Sequence, residues 1–223
     1  MRTWATLLLL TAPALFAADR QKVIDRLDDA AATFSDIMVT PDKGIPHDLI
    51  EKSRCMVIVP SLKKGAFVVG AEYGKGFITC READGRWSAP GAVTVEGGSF
   101  GFQIGGSDTD VVMLVMKNRG AEKMLGNQFT LGADGEVAAG PVGRDASAET
   151  NASLNAEILS WSRTRGVFAG ISLKGASVRP DLSANEDLYG RKLDNREIVQ
   201  GKVTPPAAAA RLLALLNRYP QHV

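Results

Sequence analysis

Histidine, an excess of charge of either sign, and any recognisable catalytic motif are what this sequence has least of. The only histidines are His47 and His222. They stand far apart, and no Cys/His cluster offers zinc spacing. Neither a Gly-x-Ser-x-Gly elbow nor a Walker phosphate loop occurs. Tyr73-Gly-Lys-Gly76 lacks the third glycine and the following helix of a dinucleotide fingerprint. Ser107-Asp108-Thr109-Asp110 is too short for a calcium loop and reads as a turn before a strand. Ala184-Asn185-Glu186-Asp187, ahead of Tyr189-Gly190, reads as a capped helix ending on glycine. These absences point to a non-enzymatic protein with no metal and no cofactor. Lys and Arg together number 26 against 25 Asp and Glu, so there is no basic excess of the kind that nucleic acid demands.

No interior stretch is apolar for long enough to cross a bilayer; the one candidate lies at the start. Met1-Arg2 supplies a short positive segment, Leu7 to Leu10 lie in an apolar run ending near Phe16, and the small residues Ala17 and Ala18 precede Asp19-Arg20. That order is the order of a secretory leader. The run falls short of the ~20 residues of a membrane span. Residues 1–18 are therefore read as a cleavable signal peptide and 19–223 as one mature domain, periplasmic or secreted. With Arg2 removed, the mature chain is electrically neutral.

The apolar residues Val23, Ile24, Leu27, Ala30, Ala31, Phe34, Ile37 and Met38 recur at helical spacing, predicting an amphipathic helix from Ala18 to Val39. Its other face carries Asp25, Arg26, Asp28, Asp29 and Asp36. That face is acidic where a membrane-lying helix shows Lys and Arg, so the helix is expected to pack on its own domain. A short helix comes next, near Pro46. The chain then changes character. Short apolar runs (Cys55–Pro60, Ala66–Ala71, Phe77–Arg81, Val93–Val95, Phe100–Ile104, Val111–Met116, Glu157–Trp161, Val167–Leu173) are separated by glycine-bearing turns such as Ser61–Gly65, Tyr73–Gly76 and Arg163–Gly166. Helices return at Ala184–Tyr189, at Asn195–Val199 and after Pro205-Pro206. The expectation is an α+β fold: a curled, barrel-like antiparallel sheet with an N-terminal amphipathic helix and C-terminal helices.

Three groups of residues carry more than one reading. Glycine is abundant, with 23 residues, and is densest in Gly97–Gly106. Either the sheet curls tightly with crowded packing, which is the ordinary reading, or something else approaches the backbone there. Cys55 and Cys80 fall on strands and are either a disulfide in an oxidising compartment or two buried thiols. Lys63, Lys64, Lys75, Arg163 and Arg165 fall at expected hairpin tips. They are either ordinary solvated turn residues or, if the tips share one end of the sheet, a positive patch for phosphate headgroups. Asn151-Ala-Ser153 matches an N-glycosylation pattern of little weight.

An ordered set of segments resembles the SYLF-domain family. It comprises Cys55-Met-Val-Ile-Val-Pro60, Lys64-Gly-Ala-Phe-Val-Val-Gly70, Tyr73-Gly-Lys-Gly76, Trp87-Ser-Ala-Pro90, Gly101-Phe-Gln-Ile-Gly105 and Asp110-Val-Val-Met-Leu-Val115. It continues through Ala139-Gly-Pro-Val-Gly-Arg144, Ile158-Leu-Ser-Trp-Ser-Arg163, Gly166-Val-Phe-Ala-Gly-Ile171 and Asn185 to Gly190, so that the likeness runs from about Leu27 to Gly190. The resemblance implies a lipid-binding module. Eukaryotic relatives are associated with phosphoinositide membranes and fungal ones with actin filaments, while bacterial relatives are commonly exported. The expected partner is thus a membrane phospholipid with an anionic or phosphoinositide-like headgroup. The alternative is a structural or protein-interaction module of the cell envelope, with an envelope protein as partner. An exported location and an acidic N-terminal helix argue against actin.

Overall fold

The structure, a computed structural model, describes residues 12–39, 44–141, 156–164, 167–170 and 173–220. The long helix α1 spans Ala12–Val39. It starts earlier than the apolar stripe predicts, with Pro13 in its first turn, where a missing N–H costs no helical bond. Val23, Leu27, Ala30, Ala31, Phe34 and Ile37 are buried, so the stripe packs on the protein's own core as its acidic outer face required. Helix α2 is His47–Lys52.

Two long strands dominate the next part of the chain. β1 is Cys55–Cys80 and β2 is Gly91–Val115, antiparallel from Cys55 opposite Val115 to Ile78 opposite Gly91. At about 3.3 Å per residue, the 26 residues of β1 trace a path of roughly 80 Å. Yet the Cα atoms of Cys55 and Cys80 are 3.9 Å apart. The β1–β2 ribbon therefore curls round until its two ends meet. The curl has identifiable causes. Ser61 has φ 53°, and the register slips between Val59 and Leu62 and again between Ala66 and Val68, where β2 runs from Gly105 to Gly101 on the longer outer path. The returning limb then crosses the outgoing one. A Cβ on Gly76 would lie 2.0 Å from the Ile58 carbonyl oxygen, and one on Gly74 would lie 2.7 Å from a Leu62 methyl. These glycines make room for the crossing.

This corrects the sequence reading at three places. Ser61–Gly65 and Tyr73–Gly76 are not turns, so Lys63, Lys64 and Lys75 do not sit at hairpin tips; all three project from the continuous strand β1. Asp110 likewise lies inside β2 and not in a turn before it. Glycine marked a place where one strand passes close over another, and periodicity alone cannot separate that from a chain reversal.

The remaining elements are α3 (Asn118–Met124), β3 (Phe129–Thr130), β4 (Val137–Ala139), β5 (Ile158–Thr164), β6 (Val167–Gly170) and β7 (Ser177–Pro180), followed by α4 (Leu182–Tyr189), α5 (Asn195–Gln200) and α6 (Ala210–Leu216). The sheet order is β3-β7-β2-β5-β4, with β1 also on β2 and β6 on β5. β5 and β6 form the expected antiparallel pair, whereas β4 on β5 is parallel. The sheet is covered on both sides. Met56, Ile58, Val112 and Leu114 face a core completed by α1, α4 and α6. Cys55, Val57, Val59, Val111 and Met113 face a second core with α3 and α5. Burial on both faces explains why Cys55–Pro60 reads as an unbroken apolar run. The fold is α+β, with a curled sheet and helices at both ends.

Candidate functional site

Among the described residues, the basic side chains singled out from the sequence, Lys63, Lys64, Lys75 and Arg163, do not form one free patch. Lys64 Nζ lies 3.0 Å from Glu72 Oε1 across the curl of β1. The Arg163 guanidinium reaches Asp36 at 2.7 Å on α1 and Asp110 at 2.8 Å on β2. Burial works against its charge, but the hydrogen bonds to Asp110 and Asp36 outweigh it and hold the proton more tightly than in free arginine. The other oxygen of Asp110 accepts from the Ser61 N–H at 3.1 Å, pinning the bulge in β1. Arg163 is therefore committed to joining helix, bulge and sheet. Arg165 lies outside the described residues, as do residues 1–11 of the expected leader and Asn151-Ala-Ser153.

Lys63 and Lys75 do come together, in a groove of about 360 Å³ between α1 and β1. The bulge at Pro60-Ser61 opens this groove, and Tyr73, 47% exposed, lies along it. The α1 wall is built from Lys22, Asp25, Arg26 and Asp29, residues one helical turn apart that share a face. Lys63 is exposed and makes no ion pair among the described residues. Lys75 Nζ lies 2.7 Å from Asp181 Oδ2. Asp181 is buried and caps α4, accepting from the Ser183 hydroxyl at 2.8 Å and the Ala184 N–H at 3.2 Å. Burial alone would raise its carboxyl, but Lys75, Ser183 and Ala184 together hold it below the usual carboxylate range. Lys22, Arg26 and Tyr73 were not singled out from the sequence. Their helical spacing placed the first two on one face, but nothing in it showed which strand that face would meet.

Beyond Asp181 a wider cleft of about 640 Å³ opens, reached by Thr94, Arg179 and Leu182. Its ion pair, Arg179 with Glu96, is internal to the wall. At the meeting of the ribbon's ends, the sulfurs of Cys55 and Cys80 are 2.05 Å apart, a disulfide. Beside it the Arg81 guanidinium stacks on Trp87 at 3.9 Å and donates to the carbonyls of Ile50 (3.1 Å), Gly85 (2.8 Å) and Tyr219 (2.7 Å). Burial pushes Arg81 down to about 10, and Glu51 partly offsets it. Trp87 donates to the Leu216 carbonyl at 3.1 Å. These contacts knit the C-terminal helix onto the start of the sheet and are structural. No group of three or more His, Cys, Asp or Glu side chains able to hold a metal occurs among the described residues.

Residues 96–219, more than half of the chain, match the family described as "Ysc84: Las17-binding protein actin regulator". The SH3 domain-containing YSC84-like protein 1 of Rattus norvegicus is 34% identical over 180 residues, covering 80% of this chain and 53% of the relative. The SH3 domain-containing protein PJ696.02 of Schizosaccharomyces pombe is 38% identical over 177 residues, 78% of this chain and 41% of the relative. LAS seventeen-binding protein 3 of Saccharomyces cerevisiae is 34% identical over 180 residues, 79% of this chain and 39% of the relative. The chain thus spans about half, or less, of the length of these relatives. The family description names binding and regulation, LAS seventeen-binding protein 3 is named for binding, and the other two are named for an SH3 domain. The ordered segments from Cys55 to Gly190 and these matches agree: the chain belongs to the Ysc84, or SYLF-domain, family.

Proposed function

We propose that the protein is an exported, non-enzymatic lipid-binding module whose α1–β1 groove receives the phosphate of an anionic phospholipid headgroup. The observation that carries this reading is the groove itself. Lys22, Arg26, Lys63 and Lys75 line one concavity against only Asp25 and Asp29, in a chain whose overall charge is close to zero. Lys63 stands free of any ion pair among the described residues and can meet a phosphate without first giving up a partner. Lys64 and Arg163 do not line this groove and are not part of the headgroup contact. The leader-like first residues support export, and a disulfide suits the same oxidising compartment.

Flotation of the mature chain with vesicles of phosphatidylglycerol in phosphatidylcholine, against phosphatidylcholine alone, tests the reading. Binding to the anionic vesicles should fall as salt rises. Lys63→Gln or Arg26→Gln should each weaken it about fivefold, the weight of one basic side chain at an anionic surface. Equal absence from both vesicles overturns the proposal. A second reading, a module that docks another protein, is favoured by the family description, which names Las17 and actin. Native mass spectrometry separates the two: a co-purified lipid supports the first, and a stoichiometric protein partner without lipid supports the second.

A further inference from the structure

We propose that the headgroup held in the α1–β1 groove carries an ammonium as well as a phosphate, so that the ligand class is an amino-phospholipid; this rests on the headgroup reading above. The groove has one basic wall and one mixed wall. β1 supplies Lys63 and Lys75, while α1 supplies Lys22, Asp25, Arg26 and Asp29, with the two aspartates one turn apart and about 6 Å from each other. Unlike charges that face each other at a protein surface ordinarily close into salt bridges. Here they do not. Lys75 pairs with Asp181, which is not a groove carboxylate, and Lys22 pairs with Asp19. Asp25 accepts only from the Gln21 amide at 2.8 Å, and Asp29 and Lys63 have no ion pair among the described residues.

The bulge at Ser61 and the curl of β1 keep the walls apart, leaving about 360 Å³ between them. A group with a negative end and a positive end satisfies both walls at once, its phosphate on Lys63 and Lys75 and its ammonium on Asp25 and Asp29. Tyr73, half-exposed along the groove, offers the ammonium an aromatic face. A purely anionic headgroup would meet the basic residues and leave the two aspartates without a partner.

The test sets two effects against each other. N-acetylation of phosphatidylethanolamine removes its ammonium and turns a zwitterion into an anion. Simple attraction to a basic groove predicts that the acetylated lipid binds more tightly; the two-walled groove predicts that it binds less tightly. Flotation of the mature chain with phosphatidylethanolamine vesicles and with their N-acetylated counterpart reads the difference. We expect the acetylated lipid to bind about fivefold more weakly, the scale of one exposed ammonium–carboxylate contact. That difference should vanish or reverse in the Asp25→Asn/Asp29→Asn variant, whose substitutions are isosteric and exposed.

Equal or tighter binding of the acetylated lipid overturns the inference and leaves the anionic-headgroup reading standing. Absence from both of these vesicles and from phosphatidylglycerol overturns the two together. Binding of soluble phosphoethanolamine, sensitive to the same variant, without vesicle binding keeps the two-charge ligand and removes the membrane as its source.

Discussion

Reducing the Cys55–Cys80 bond tests whether the curled ribbon is held shut by its covalent clasp. The two cysteines are 25 residues apart in sequence. In the chain-entropy picture a loop of that length costs the oxidised unfolded state conformational freedom equivalent to about 3.5 kcal/mol of native stability. The native contacts around the bond do not depend on it. The Arg54 N–H still donates to Val115, and the Arg81 N–H still donates to Arg54, each at 2.8 Å. The loss on reduction is therefore the loop term alone. For a domain of this size each kcal/mol moves the melting temperature by roughly 2–4 °C, so the reduced protein should melt about 7–14 °C lower. Both sulfurs are buried, so the protein should be reduced in denaturant and refolded with a phosphine reductant, then compared with the oxidised form by calorimetry. Cys55→Ala/Cys80→Ala provides the same comparison without reductant. Coincident melts within about 2 °C would refute the reasoning, as would two free thiols titrated in the native protein purified without reductant.

Two further outcomes rest on single contacts of the fold. Gly76→Ala places a methyl 2.0 Å from the Ile58 oxygen and 2.8 Å from the Val59 Cα, both backbone atoms. The crossing has no flexible neighbour to yield, so the variant should lose at least about 3 kcal/mol in urea unfolding or fail to fold, whereas Gly132→Asn, at a positive φ of 88° on the surface, should cost only about 1 kcal/mol. Asp181, held below the usual carboxylate range, contributes stability that is present above about pH 4 and disappears as the pH falls through its lower folded value. The melting temperatures of the wild type and Asp181→Asn should differ by about 1 kcal/mol equivalent near neutrality, allowing for the partial exposure of Lys75, and should converge in acid. A gap that persists unchanged at pH 2 would contradict this.

Most of the helices were legible because their signals are local; α3, Asn118–Met124, was not read from the sequence. The spacing from Val23 to Met38 named the buried face of α1. The capping box of α5 is complete in its own few residues, with the Asp194 carboxylate accepting from the Glu197 N–H and the Glu197 side chain from the Asp194 N–H. The β core was legible as composition but not as path. Nothing near Gly74 or Gly76 says that the strand passing them is the same strand, some fifteen residues earlier. β3 and β4 are too short to show any alternation. The candidate site failed in sequence for a related reason. Lysines can be read one by one, but their neutralising partners lie far off in the chain. Lys75 and Asp181 are 106 residues apart, and Arg163 meets Asp36 from 127 residues away. Of the basic residues that look like one patch in sequence, the four described ones are divided by the fold between ion pairs that build structure (Lys64, Arg163) and the groove (Lys63, Lys75).

The crossing of β1 over itself also sets an order of events for folding. The limb carrying Gly76 can settle on Ile58 only after the ribbon has bent through Ser61, and Cys55 finds Val115 only across about sixty residues of chain. The ribbon's pairing widens from Ile78 opposite Gly91 to Cys55 opposite Val115, so most of its contacts are non-local and loop closure is met before they are recovered. Such a chain should fold slowly for its size, with its paired edges open to other molecules until the arc shuts. Formation of the bond between Cys55 and Cys80 would then report the last step of that closure, and its appearance in quenched refolding samples would time it.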